Sequence, residues 1–132
     1  MKVRKIIACI YLVVILALAV FPFASAGVTG INRVHVVSFR LDHVLHLLAF
    51  VPLYPLVVWA WKPRTLTKHT LWLLVGLIIA ALAEYVQYFI AYRSWNPTDL
   101  LANIGGVLAG VVMLGLFTWW KGGEKKSGIS GF

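Results

Sequence analysis

The 132-residue sequence has four carboxylates, Asp42, Glu84, Asp99 and Glu124, and the first three fall inside or at the end of long apolar runs. Ionisable groups at membrane depth are costly, and they usually face a bundle interior or a wet cavity. Each of the three has a polar neighbour at helical spacing. His46 is four residues after Asp42, so the two share a helical face. Gln87 and Tyr88 are three and four residues after Glu84. Asn103 is four after Asp99, and Gly106 and Gly110 continue that stripe. Small residues at such spacing let a second helix approach closely. Arg93 lies between the Glu84 and Asp99 groups.

These residue types suit acid–base chemistry on a polar head group. His46 or Glu84 would act as general base, with Asp42 and Asp99 completing an ionisable set. Arg93 would hold an anionic phosphate or carboxylate. Asn103 and Gln87 would orient polar atoms of the same ligand. Simpler roles compete with each assignment. In Asn96-Pro97-Thr98-Asp99, Asn96 reads as a helix cap, Pro97 as the first helical residue and Asp99 as a first-turn acid. Asp42 could likewise favour a helix start, His46 could be an interior imidazole, and Gln87 could bond across helices. Glu84 has no comparable structural excuse, because a purely structural helix would gain by losing it.

The elements that must position these residues follow from composition. The hydrophobic set makes up 61% of the chain and charged residues only 12%, about half the charge of a soluble domain. The mean hydropathy is +0.90. A membrane-crossing helix uses roughly 20 apolar residues, so four use about 80, which leaves too little chain for a separate soluble domain. Apolar runs predict spans over residues 6–26, 41–61, 69–91 and 99–120 of a single membrane domain covering 1–132. The expected fold is an all-α, four-helix transmembrane bundle. Lys2, Arg4 and Lys5 before an apolar stretch, with Ala24-Ser25-Ala26 after it, also fit a secretory signal peptide. The length of the run and the three spans behind it favour a retained helix. Pro52 and Pro55 each remove a backbone donor and would kink the second span, either as a packing device or to shape a cavity.

The net charge of +8 sorts by position. Lys2, Arg4 and Lys5 precede the first span, Lys62, Arg64 and Lys68 separate the second and third, and Lys121, Lys125 and Lys126 follow the fourth. With four spans these share one side, and the positive-inside rule puts both termini in the cytoplasm. Trp59, Trp61, Trp72, Trp119 and Trp120 belong to the same interface. The charge therefore reads as topology and contact with anionic lipid rather than nucleic-acid binding. Asp42, Glu84 and Asp99 then lie toward the outer face of a plasma membrane protein. Cys9 stands alone, which excludes an intrachain disulfide and a thiolate metal site. An oxygen-rich metal site from Asp42, His46, Glu84 and Asp99 is a minor alternative without a sequence-local ligand pair, so no metal or cofactor is expected.

In order and spacing these residues resemble the VanZ-like family over roughly residues 40–115. The shared pattern is an acid with His four later (Asp42, His46), then Glu-x-x-Gln (Glu84, Gln87), an Arg (Arg93), and Asp-x-x-x-Asn-x-x-Gly-x-x-x-Gly (Asp99, Asn103, Gly106, Gly110). The chain departs from the pattern at His43, where Lys is common, at Leu47, where an aromatic is common, and at Asn96, where an acid often stands. The resemblance implies a small multi-pass membrane protein, and the family's founding member is associated with teicoplanin resistance. The leading expectation is a protein that acts on or binds an envelope lipid or other amphiphile at the outer leaflet. The alternatives are a non-catalytic module that binds lipid, drug or partner protein, and a proton-linked transporter. The transporter ranks last because the inner halves of the spans are almost without polar residues.

Overall fold

The computed structural model describes residues 2–20, 35–36, 39–89 and 97–127. Its helices are α1 (Lys2–Val20), α2 (Leu41–Phe50), α3 (Leu53–Trp61), α4 (Leu66–Tyr88) and α5 (Pro97–Ser127). Two short strands precede α2: β1 (His35–Val36) pairs antiparallel with β2 (Phe39–Arg40), with His35 opposite Arg40. Three stretches among the described residues are long and apolar enough to cross a membrane: His43–Trp61, Leu66–Tyr88 and Pro97–Gly122. The chain is thus an all-α, multi-pass membrane protein. α1 packs as a further helix on α3 and α4. Residues 21–26, which contain the possible cleavage site and the end of the expected first span, lie outside the described residues.

The span expected at 41–61 is broken at Val51 and Pro52 into α2 and α3. Pro52 and Pro55 supply no backbone N–H, so the ladder is interrupted and restarts with Leu56 N donating to Pro52 O at 2.9 Å. In the membrane interior the loosened carbonyls need partners. Tyr11 Oη on α1 donates to Ala49 O at 2.6 Å and supplies one. α3 ends at Lys62, which adopts the left-handed conformation (φ 49°), returns its N–H to Val58 O and is followed by Pro63.

The expected bounds shift at the other two spans. α4 begins three residues earlier than 69, because Thr65 is extended and its side chain accepts from Lys68 N at 3.3 Å. It ends at Tyr88, and residues 90 and 91 lie outside the described ones. α5 starts at Pro97, as the sequence suggests, but its helix continues past the expected end of the span at 120 to Ser127. Gly122 and Gly123 weaken a helix by only about 1 kcal/mol each, and neither blocks the ladder as proline would.

The core lies where α2, α4 and α5 meet. Phe50 and Leu53 flank the break and pack with Ala80 and Ala83 of α4, Val107 of α5 and Ile15 of α1. α2 and α5 run side by side in the same direction, and glycine sets their spacing. A Cβ on Gly106 would overlap the Leu47 carbonyl oxygen and stand 2.8 Å from Phe50 Cβ. A Cβ on Gly110 would overlap the Val51 carbonyl oxygen and stand 3.1 Å from Pro55 Cδ. Close backbone approach of this kind is how small residues associate helices without a hydrophobic driving force.

Candidate functional site

One end of the bundle is polar inside. It is the end where α2 and α5 begin and α4 finishes. Glu84 and Asn103 are 0% exposed, Gln87 2% and Asp99 6%. Helical spacing places them in layers. Asp99 and Asn103 are one turn apart on the face of α5 that continues into Gly106 and Gly110. His43 and His46 are three apart on α2 and face that stripe. Glu84 and Gln87 come from α4.

The parallel run of α2 and α5 makes successive rungs. His43 Nδ1 contacts Asp99 Oδ1, an ion pair when the ring is protonated. One turn deeper, His46 Nδ1 meets Asn103 Oδ1 at 3.0 Å. Leu47 and Phe50 against Gly106 form the next rung, and Val51 and Pro55 against Gly110 the last. The second rung extends sideways to α4, where Asn103 Nδ2 donates to Glu84 Oε2 at 3.5 Å, the long limit of a hydrogen bond. Glu84, when ionised, can only accept, so the amide NH₂ must face it and the amide oxygen must face His46. The His46 Nδ1 then carries its proton as the donor. Gln87 Nε2 is buried with no hydrogen-bond partner among the described residues.

Of the residues singled out in the sequence, His46, Glu84, Asp99 and Asn103 come together here, and Gln87 is buried on the Glu84 face of α4. Asp42 belongs to α2, but its side chain lies outside the described residues, as do Arg93 and Asn96. The residue that sequence reasoning passed over is His43, noted there only as a departure from the family pattern. Its signal was present: it is three residues before His46, the other helical spacing that shares a face. Among the described residues no group of three His, Cys, Asp or Glu side chains is placed to hold a metal ion.

The opposite end is basic and aromatic. The Arg4 guanidinium lies 5.2 Å from the Trp59 ring centre, and Lys5 Nζ lies 6.0 Å from that of Trp61. Trp61 and Trp72 are in contact at 4.8 Å between centres. Tyr54, buried just after the break in the second span, hydrogen-bonds His69 Nδ1 at 2.9 Å. That pair was not foreseen in the sequence, because its two residues belong to different helices.

The sequence profile of the VanZ/LLP1 family matches residues 8–118, from within α1 through most of α5. No curated protein and no solved structure matches the chain.

Proposed function

For a chain that belongs to the VanZ/LLP1 family, we propose that the buried polar cluster binds the head group of an envelope lipid or other amphiphile and acts on it at the outer leaflet. The observation that carries this reading is the His46–Asn103–Glu84 chain of hydrogen bonds, with Glu84 wholly buried at its end. A carboxylate in that position weakens a purely structural bundle, so its presence points to work on a ligand. Glu84 and His46 supply acid–base capacity, and Asn103 holds both in register. Gln87 Nε2, which has no hydrogen-bond partner among the described residues, is a donor for a ligand oxygen.

In this reading α1 is a fourth span and both termini are cytoplasmic. The support is the gathering of Arg4, Lys5 and three tryptophans at the end away from the cluster, as the positive-inside rule and the aromatic belt would have it. The outward-facing site makes protection against a glycopeptide such as teicoplanin a reasonable phenotype to assay. The deciding experiment replaces Glu84 with Gln, which preserves shape, and follows lipid-linked envelope intermediates by mass spectrometry. The expected result is accumulation of one intermediate in both the variant and a deletion strain. Pools unchanged in both strains would overturn the reading.

A further inference from the structure

The two imidazoles of the cluster are held by different chemistry. His46 Nδ1 leans on the neutral amide of Asn103, whereas His43 Nδ1 leans on the carboxylate of Asp99. An ionised carboxylate only accepts, so His43 carries its proton on Nδ1 and keeps a lone pair on Nε2. That nitrogen has no partner among the described residues. The same carboxylate offsets the positive charge when Nε2 takes a proton. The pair lies at the starts of α2 and α5, with side-chain exposures of 11% for His43 and 8% for Asp99.

We propose that His43 is the proton acceptor of this site and that Asp99 is its positioning residue. The inference rests on the reading of the cluster as an amphiphile site, and it moves the base from Glu84 and His46 to a residue one turn nearer the start of α2. In the step it performs, an O–H bond of a head-group hydroxyl or a water molecule breaks. The proton goes to His43 Nε2, and the oxygen keeps the electron pair as a nucleophile. The Nδ1 proton stays shared with Asp99, so the ring is charged but fixed in place. His46, Asn103 and Glu84 then orient the ligand from the layer below.

Diethyl pyrocarbonate tests this without knowledge of the natural ligand. The reagent is attacked by an unprotonated imidazole nitrogen, which forms a bond to its carbonyl carbon and expels ethyl carbonate. The full chain in lipid nanodiscs is treated at limiting reagent, and peptide mass spectrometry follows His35, His43, His46 and His69 separately. The expected result is that His43 reacts faster than His46, slows by about tenfold in Asp99→Asn, and recovers in Asp99→Glu, with His69 unchanged throughout. Equal rates at His43 and His46, or a His43 rate indifferent to Asp99→Asn, would overturn the assignment. Nitrogen-15 NMR of histidine-labelled, unsubstituted chain covers the case in which the variants do not fold. There His43 is expected as the Nδ1–H tautomer, and the Nε2–H tautomer would sink the idea. Neither readout involves lipid pools, so failure here is distinct from failure of the amphiphile reading.

Discussion

Gly110 lies directly against the carbonyl of Val51, at the point where the second span breaks, so closely that a Cβ on Gly110 would overlap that oxygen. One turn earlier Gly106 has the same relation to Leu47. These two contacts set how near α5 comes to α2, and so whether Asp99 and Asn103 can reach His43 and His46. The packing and the polar site are two ends of one interface.

Alanine at either glycine should therefore do more than alter local packing. The obstructing atoms are backbone, which cannot rotate away, so the helices must separate. Overpacking of this kind costs about 1–3 kcal/mol. Gly106→Ala and Gly110→Ala are expected to lower the thermal midpoint in detergent. Gly115→Ala meets nothing within 4 Å and should leave it unchanged. Equal midpoints for all three would mean that the two helices do not meet as described.

The polar network gives a second expectation. Asn103→Leu removes the acceptor for His46 and the donor for Glu84 at once. Each loss costs about 1–3 kcal/mol. The double variant Asn103→Leu with Glu84→Leu should recover part of the deficit, because it also removes the carboxylate that the Asn103 amide served. A thermodynamic cycle over the two positions measures that coupling, and strictly additive effects would show that the 3.5 Å contact contributes nothing.

Much of this was legible in the chain. The apolar runs and the break at Pro52 and Pro55 follow from backbone chemistry that is local to the sequence. Glu84, Asp99 and Asn103 stood out because the bilayer penalises them. The pairing across helices was not legible. Asp42–His46 and His43–His46 both satisfy one-face spacing, and only the register of α5 against α2 selects His43 as the partner of Asp99. That register depends on which glycine meets which carbonyl, a relation between segments more than fifty residues apart. The helical end of α5 was not legible for another reason: hydropathy marks where a helix leaves the membrane, not where its hydrogen bonds stop.

Tyr11 provides a separate check on the broken span. Its hydroxyl bonds the Ala49 carbonyl beside the break, so α1 steadies the end of α2. Tyr11→Phe keeps the ring and removes that one bond. The expected cost is about 0.5–1.5 kcal/mol, read as a modest fall in thermal midpoint. No change would mean that the carbonyl finds equal satisfaction elsewhere.

Orientation can be decided by accessibility. Arg64 is exposed between α3 and α4 at the basic end, and Thr98 is exposed at the start of α5 beside the polar cluster. In a Cys9→Ser background, Arg64→Cys and Thr98→Cys can be labelled with an impermeant maleimide on intact cells and on inverted vesicles. With the basic end inside, Thr98→Cys should react on intact cells and Arg64→Cys only on inverted vesicles. The reverse pattern would place the His43–Asp99 pair in the cytoplasm, where an extracellular glycopeptide cannot be its concern. The site would then have to draw its amphiphile from the inner leaflet. The charge asymmetry argues against that arrangement, because it would turn Arg4, Lys5, Lys62 and Lys68 outward against the preference of anionic inner-leaflet lipid for basic flanks.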